Sequence, residues 1–129
     1  MNTVSRREAR RAAVFMLFQS DVTGRPLGSL YEGEVDAYTQ HLAEAVTEHA
    51  DTLDARITEV SDDWTADRLG AVERNVLRVA LEELDEGEVP VEVVLDEAVR
   101  LAKRYASEDA GRLVNGILGR VVREEEQKA

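Results

Sequence analysis

An all-α fold is predicted for this 129-residue chain on three observations. Only Pro26 and Pro90 punctuate it, apolar residues recur at helical spacing along nearly its whole length, and the one β-branched run, Val89 to Leu95, has no second strand to pair with.

The first helix is predicted over about residues 6–20. Ser5-Arg-Arg-Glu8 is a capping box in which the Ser5 hydroxyl accepts from the Glu8 backbone N–H. Ala9, Ala13, Met16 and Leu17 form its apolar stripe, flanked by Val14 and Phe18. Asp21 to Gly28, with Gly24, Pro26 and Gly28, reads as a loop. From Val35 to Val60 the spacing stays helical, and two helices with a break near Ala50 to Asp54 are expected. Ser61-Asp62-Asp63 offers caps for the next element, with Trp64 just after them. Leu69, Val72, Val76, Leu77, Ala80, Leu81 and Leu84 make an amphipathic helix that ends before Gly87, a residue suited to a left-handed C-terminal position. Beyond Pro90, the residues Val94, Ala98, Leu101, Ala102 and Tyr105 form another helix, and Ser107 caps the last.

The stretch RLVNGILGRVV, residues 112–122, contains Asn115-Gly116, a hairpin signal, yet its apolar residues keep helical spacing. Glycine in a helix costs about 1 kcal/mol relative to alanine. A neighbouring helix crossing closely over Gly116, with Asn115 hydrogen-bonding between elements, is the expected compensation; a kink or early helix end is the alternative.

Composition excludes much chemistry. There is no cysteine for a disulfide, a thiolate nucleophile or a zinc site. His41 and His49 stand eight apart without the i, i+3 or i, i+4 pairing of a metal site, and no glycine-rich phosphate loop is present. Trp64 and Tyr105 read as core packing. No signal-peptide pattern and no apolar run of membrane-spanning length occurs, so a cytoplasmic location is expected. Net charge is −11, which disfavours nucleic-acid binding by the surface as a whole. The first eleven residues, however, carry Arg6, Arg7, Arg10 and Arg11 against Glu8 alone, a local +3 on a remainder of −14. At i, i+1, i+4 and i+5 these four arginines read as one basic ridge beside the apolar stripe. Cations in a first helical turn oppose the helix dipole, a tension that a bound anion relieves. Arginine's planar fork suits phosphates and stacked bases.

The tract AVERNVLRVALEELDEGEVPVEVVLDEAVRLAKRYASEDAGRLVNGILGRV, residues 71–121, and the opening REARRAAVFMLFQ, residues 7–19, resemble the NusB family of transcription antitermination factors. The specific features are Glu-Arg-x-x-Leu-Arg at 73–78, Val-Pro at 89–90, Asp-Glu-Ala followed by Ala-Lys within 96–103, and Val-Asn-Gly at 114–116. Residues 21–63 match only in helical character and length.

This resemblance implies one RNA-binding domain over residues 1–129, of about seven helices in two packed helical subdomains, without catalysis or cofactor. It implies binding to boxA RNA of rRNA leader transcripts together with NusE, a small-subunit ribosomal protein, in an antitermination complex with RNA polymerase. Carried over by position, the RNA-binding residues are Arg6, Arg7, Arg10, Arg11 and Phe18 on the first helix, with Lys103, Arg104, Asp109 and Arg112. Glu73, Arg74 and Glu82 map to the partner-facing surface. Glu82 stands where the family commonly has tyrosine, Asp96 where it has asparagine and Leu113 where it has phenylalanine.

An acidic cluster, Glu82, Glu83, Asp85, Glu86 and Glu88, is a candidate surface for a basic partner. The competing reading is a helical scaffold or homodimer in rRNA or ribosome maturation that buries the arginine helix. A similar domain also occurs fused to rRNA cytosine methyltransferases, but no catalytic half follows by Ala129, so an adaptor role is expected.

Overall fold

The structure is a computed structural model that describes residues 4–61 and 65–128. The expected caps at Asp62 and Asp63, and Trp64, lie outside the described residues. Five α-helices account for most of the rest: α1 (Arg6–Thr23), α2 (Ala37–Val60), α3 (Ala71–Glu86), α4 (Val91–Tyr105) and α5 (Glu108–Lys128). Two 3₁₀ turns, Leu27–Leu30 and Ala66–Arg68, connect them, and no strand occurs among the described residues.

Helix α1 starts where the capping box puts it, with the Glu8 N–H donating to Ser5 Oγ at 3.1 Å. It runs to Thr23, beyond the expected end. Gly24, at φ +73°, closes it in the left-handed conformation and donates its N–H to the Ser20 carbonyl at 2.9 Å.

The expected break near residues 50–54 does not occur, and α2 is one helix of 24 residues. Asp51, Thr52 and Asp54 are weak helix formers, at a few tenths of a kcal/mol each. Leu53, Ile57 and Val60, however, continue the stripe of Leu42 and Val46, and all five are buried. Burying each large side chain is worth about 1.5–3 kcal/mol, so packing overrides propensity. Five α-helices therefore stand where about seven were expected, with the two 3₁₀ turns as the remaining helical pieces.

Pro90 turns the strand-like run into a helix start, because its carbonyl accepts from the N–H groups of Val93 and Val94 at 3.0 and 3.1 Å. Gly87 ends α3 at φ +71° as expected. Ser107 Oγ accepts from the Ala110 N–H at 3.0 Å at the start of α5.

Helices α1, α2 and α3 pack on one another, as do α3, α4 and α5, so the two subdomains share α3. Side chains from all five helices form one continuous core around Leu42, Ile57, Leu77, Leu81 and Leu118. Helices α1 and α4 lie side by side and parallel. Arg7 reaches Glu97 and Phe15 meets Tyr105, pairs that keep the same spacing along both helices.

Helix α5 passes unbroken through Asn115-Gly116, but the close approach expected there is absent. Gly116 is exposed, and a Cβ built on it would meet nothing within 4 Å. The close approach occurs one face away: Gly111 is buried, and the stem of Lys103 crosses the space its Cβ would fill. Gly116→Ala is accordingly expected to stabilise the chain by up to about 1 kcal/mol. Gly111→Ala, which must displace Lys103, is expected to gain less or to destabilise; urea unfolding of the two variants measures the difference.

Candidate nucleic-acid interface

The four arginines of α1 do not form one exposed ridge. Arg6 stands 4.2 Å above the Tyr38 ring centroid. Arg7 donates through Nε and Nη2 to Glu97 Oε1 at 3.0 and 2.7 Å, yet 58% of its side chain remains exposed. Arg11 is exposed. Arg10 corrects the expectation: it is 3% exposed and donates through Nε and Nη2 to the two carboxylate oxygens of Glu83 at 2.5 and 2.9 Å.

A signal for this was present in the sequence. Arg10, Ala13, Val14 and Leu17 stand at i, i+3, i+4 and i+7, so the arginine belongs to the buried stripe. The half-buried Tyr38 donates its hydroxyl to Glu83 Oε2 at 2.7 Å, completing a triad of α1, α2 and α3 around a buried carboxylate. Burial opposes the guanidinium charge of Arg10, but the hydrogen bond and charge of Glu83 outweigh it and raise its pKa. Burial and the same carboxylate raise that of Tyr38.

The other cations gather where α4 ends and α5 begins. Lys103 and Arg104 are exposed, with Lys103 Nζ 3.9 Å from Glu108 and Arg104 Nε donating to the Tyr105 hydroxyl at 3.2 Å. Asp109 and Arg112 form an exposed ion pair on the first turns of α5. Phe18 is half-buried on α1. Because α1 and α4 run parallel in register, Arg11 lies level with the last turn of α4, and its charge reaches the Tyr105 hydroxyl. Arg7, Arg11, Lys103 and Arg104 thus line the α1–α4 side, with Arg112 exposed on α5, while Arg6 faces α2 and lines a cavity with Tyr38, His41, His49 and Glu86.

Tyr105, expected as plain core packing, is half-buried against Phe15, their rings edge to face with centroids 4.7 Å apart. Its hydroxyl is held below the ordinary tyrosine value by the hydrogen bond from Arg104 and, against a small effect of burial, by Arg11. Phe15 was missed because nothing in the sequence of α1 shows that its ring meets an aromatic of another helix.

The residues carried over to the partner surface are largely engaged within the chain. Arg74 is half-buried; its Nε donates to Asp21 Oδ2 at 2.8 Å and its Nη1 to the carbonyls of Ala66 and Leu69 at 3.1 and 2.8 Å. It ties α1 to the start of α3. Burial raises the Asp21 carboxyl, but hydrogen bonds from Arg74 and Asn75 and the charges of Arg74 and Arg78 hold it below the usual range. Glu73, half-buried, folds its carboxylate back over Gly70 at the N-terminus of α3. Glu82, the departure from tyrosine, is 4% exposed with Oε1 2.8 Å from His49 Nδ1. Of the acidic cluster, Glu83 is in the triad, Asp85 holds Arg56 and Glu86 faces His41, which leaves Glu88 at the surface.

The Glu82 hydrogen bond and charge raise the His49 pKa against a smaller effect of burial. A raised folded value means the contribution is complete below the unfolded value of about 6.5 and is lost as pH rises through the folded one. Thermal stability is expected to fall from about pH 6 to 8, less steeply in His49→Gln; an equal slope in both proteins would rule out His49 as its source.

Among the described residues no helix is long and apolar enough to cross a membrane. The chain matches the NusB family over residues 7–123. A transcription antitermination protein NusB of Rubrobacter xylanophilus is 43% identical, the match covering 89% of this chain and 88% of the relative. The solved structure of T. maritima NusB is 33% identical with a TM-score of 0.84, covering 95% and 94% of the two chains. A chain in the crystal structure of antitermination factors NusB and NusE in complex with dsRNA is 29% identical with a TM-score of 0.81, covering 92% and 96%.

Proposed function

The chain belongs to the NusB family, and from that premise we propose that it is a transcription antitermination factor: it binds boxA RNA of rRNA leader transcripts with NusE, a small-subunit ribosomal protein, and so helps RNA polymerase read through terminators. Residues 1–129 act as one RNA-binding domain, without catalysis, in the cytoplasm.

The observation that carries the reading is the strip in which α1, α4 and α5 each place cations on one side of an otherwise acidic molecule. Arg6, Arg7, Arg11, Lys103, Arg104 and Arg112 take the phosphates of a single strand, with Phe18 near the bases. Arg10 holds α1 in place from beneath rather than meeting RNA. Six phosphate contacts at about 0.7 each correspond to a log–log salt slope of roughly −4. The net charge of −11 opposes the RNA, so affinity of the chain alone is weak. A basic partner offsets that repulsion and extends the track. Glu88, exposed just beyond α3, remains available to such a partner, whereas Arg74 and Glu82 act through the fold that presents the surface.

Fluorescence anisotropy of labelled boxA RNA, with and without NusE, tests the reading. Binding at least tenfold tighter with NusE is expected; no binding in either condition, with NusE shown to be folded, would reduce the likeness to shared fold alone.

A further inference from the structure

We propose that Tyr105, braced by Phe15 and flanked by Arg11 and Arg104, is a platform on which one unpaired base of the bound RNA stacks. The inference deepens the RNA-binding reading and rests on it.

The ring is fixed before any ligand arrives. Phe15 meets it at 4.7 Å with an interplanar angle of 86°, so α1 and α4 together set its orientation. Little side-chain entropy is left to lose on binding, which favours a stacking contact. The Arg104 guanidinium carbon lies 5.5 Å from the ring centroid while its Nε bonds the hydroxyl. The exposed Arg104 therefore covers the ring only loosely, and a base can take its place.

The position in the fold matters as much. Tyr105 is the last residue of α4, half-buried, and the chain turns away at the exposed Ala106. Arg11 on α1 and Arg104 on α4 both reach toward its hydroxyl, which sets two cations beside a stacked base and its phosphates. Tyr38 provides the contrast. It too has an arginine near its ring, but its hydroxyl is committed to the buried Glu83.

The test pairs single abasic substitutions along a boxA RNA with Tyr105→Leu, measuring affinity by anisotropy in the presence of NusE. In the unaltered protein one abasic position is expected to weaken binding about tenfold. In Tyr105→Leu, binding of the intact RNA is about tenfold weaker and that abasic penalty disappears. Tyr105→Phe, which keeps the ring, loses about threefold through its hydroxyl and retains the penalty. Equal abasic penalties in unaltered and Tyr105→Leu proteins at every position would overturn the platform and leave the RNA reading standing. Absence of RNA binding by the unaltered chain would overturn both. If Tyr105→Leu melts early, Arg104→Gln at its exposed position carries the test. A salt slope shallower by about 0.7 with a reduced abasic penalty supports the platform, and an unchanged slope and penalty overturns it.

Discussion

Arg10→Ala is expected to lower the unfolding free energy by about 3–5 kcal/mol, because it leaves the carboxylate of Glu83 buried and unpaired. Glu83 is 1% exposed, and Arg10 supplies both of its charged hydrogen bonds. Glu83→Ala is expected to cost a similar amount by stranding the guanidinium. Tyr38→Phe removes one hydrogen bond to the same carboxylate and is expected to cost about 1–3 kcal/mol. The paired replacement Arg10→Met with Glu83→Leu removes both charges at similar volume and is expected to recover most of the loss. Urea unfolding followed by circular dichroism reads all four. A loss below 1 kcal/mol in Arg10→Ala would mean that Arg10 is not anchored as described and is free to meet RNA.

The second large effect falls on RNA and not on the fold. Arg6, Arg7 and Arg11 changed together to alanine are expected to weaken boxA binding about 100-fold, taking about 1 kcal/mol for each lost charged contact. The salt slope becomes shallower by about 2, from three contacts at roughly 0.7. Melting changes little by comparison. Arg7 is exposed enough that its bond to Glu97 is worth at most about 1 kcal/mol. The Arg10→Met, Glu83→Leu pair supplies the control, with the slope expected to stay as in the unaltered chain. Affinity retained in the triple variant would move the RNA off α1.

These two results separate Arg10, which shares the spacing of the buried stripe, from the other arginines of α1. The helices were legible because local rules and tertiary packing agree: Ser5, Gly87 and Ser107 mark ends, and the stripes of α3 and α4 fall on the buried side. Where they disagree, reading failed. Asp51 to Asp54 suggested a break that the burial of Leu53 and Ile57 prevents. Asn115-Gly116 suggested a close approach that the structure places at Gly111, since which face of α5 meets Lys103 depends on the crossing of two helices. The candidate site was legible as a list of cations and illegible as a surface. Arg10, Arg74 and Glu82 each find a partner distant in the chain, and no spacing within one helix announces such a pairing. Tyr105 changes meaning for the same reason, since Phe15 and Arg11 reach it from another helix.

The central claim is that RNA lies along the strip formed by α1, the end of α4 and the start of α5. Amide chemical shifts of the isotopically labelled chain, recorded with NusE before and after adding boxA RNA, test it most directly. The account predicts changes concentrated at Arg7 to Arg11 and Lys103 to Arg112; changes confined to the α2–α3 face around His41, His49 and Glu86, or none at all, would contradict it.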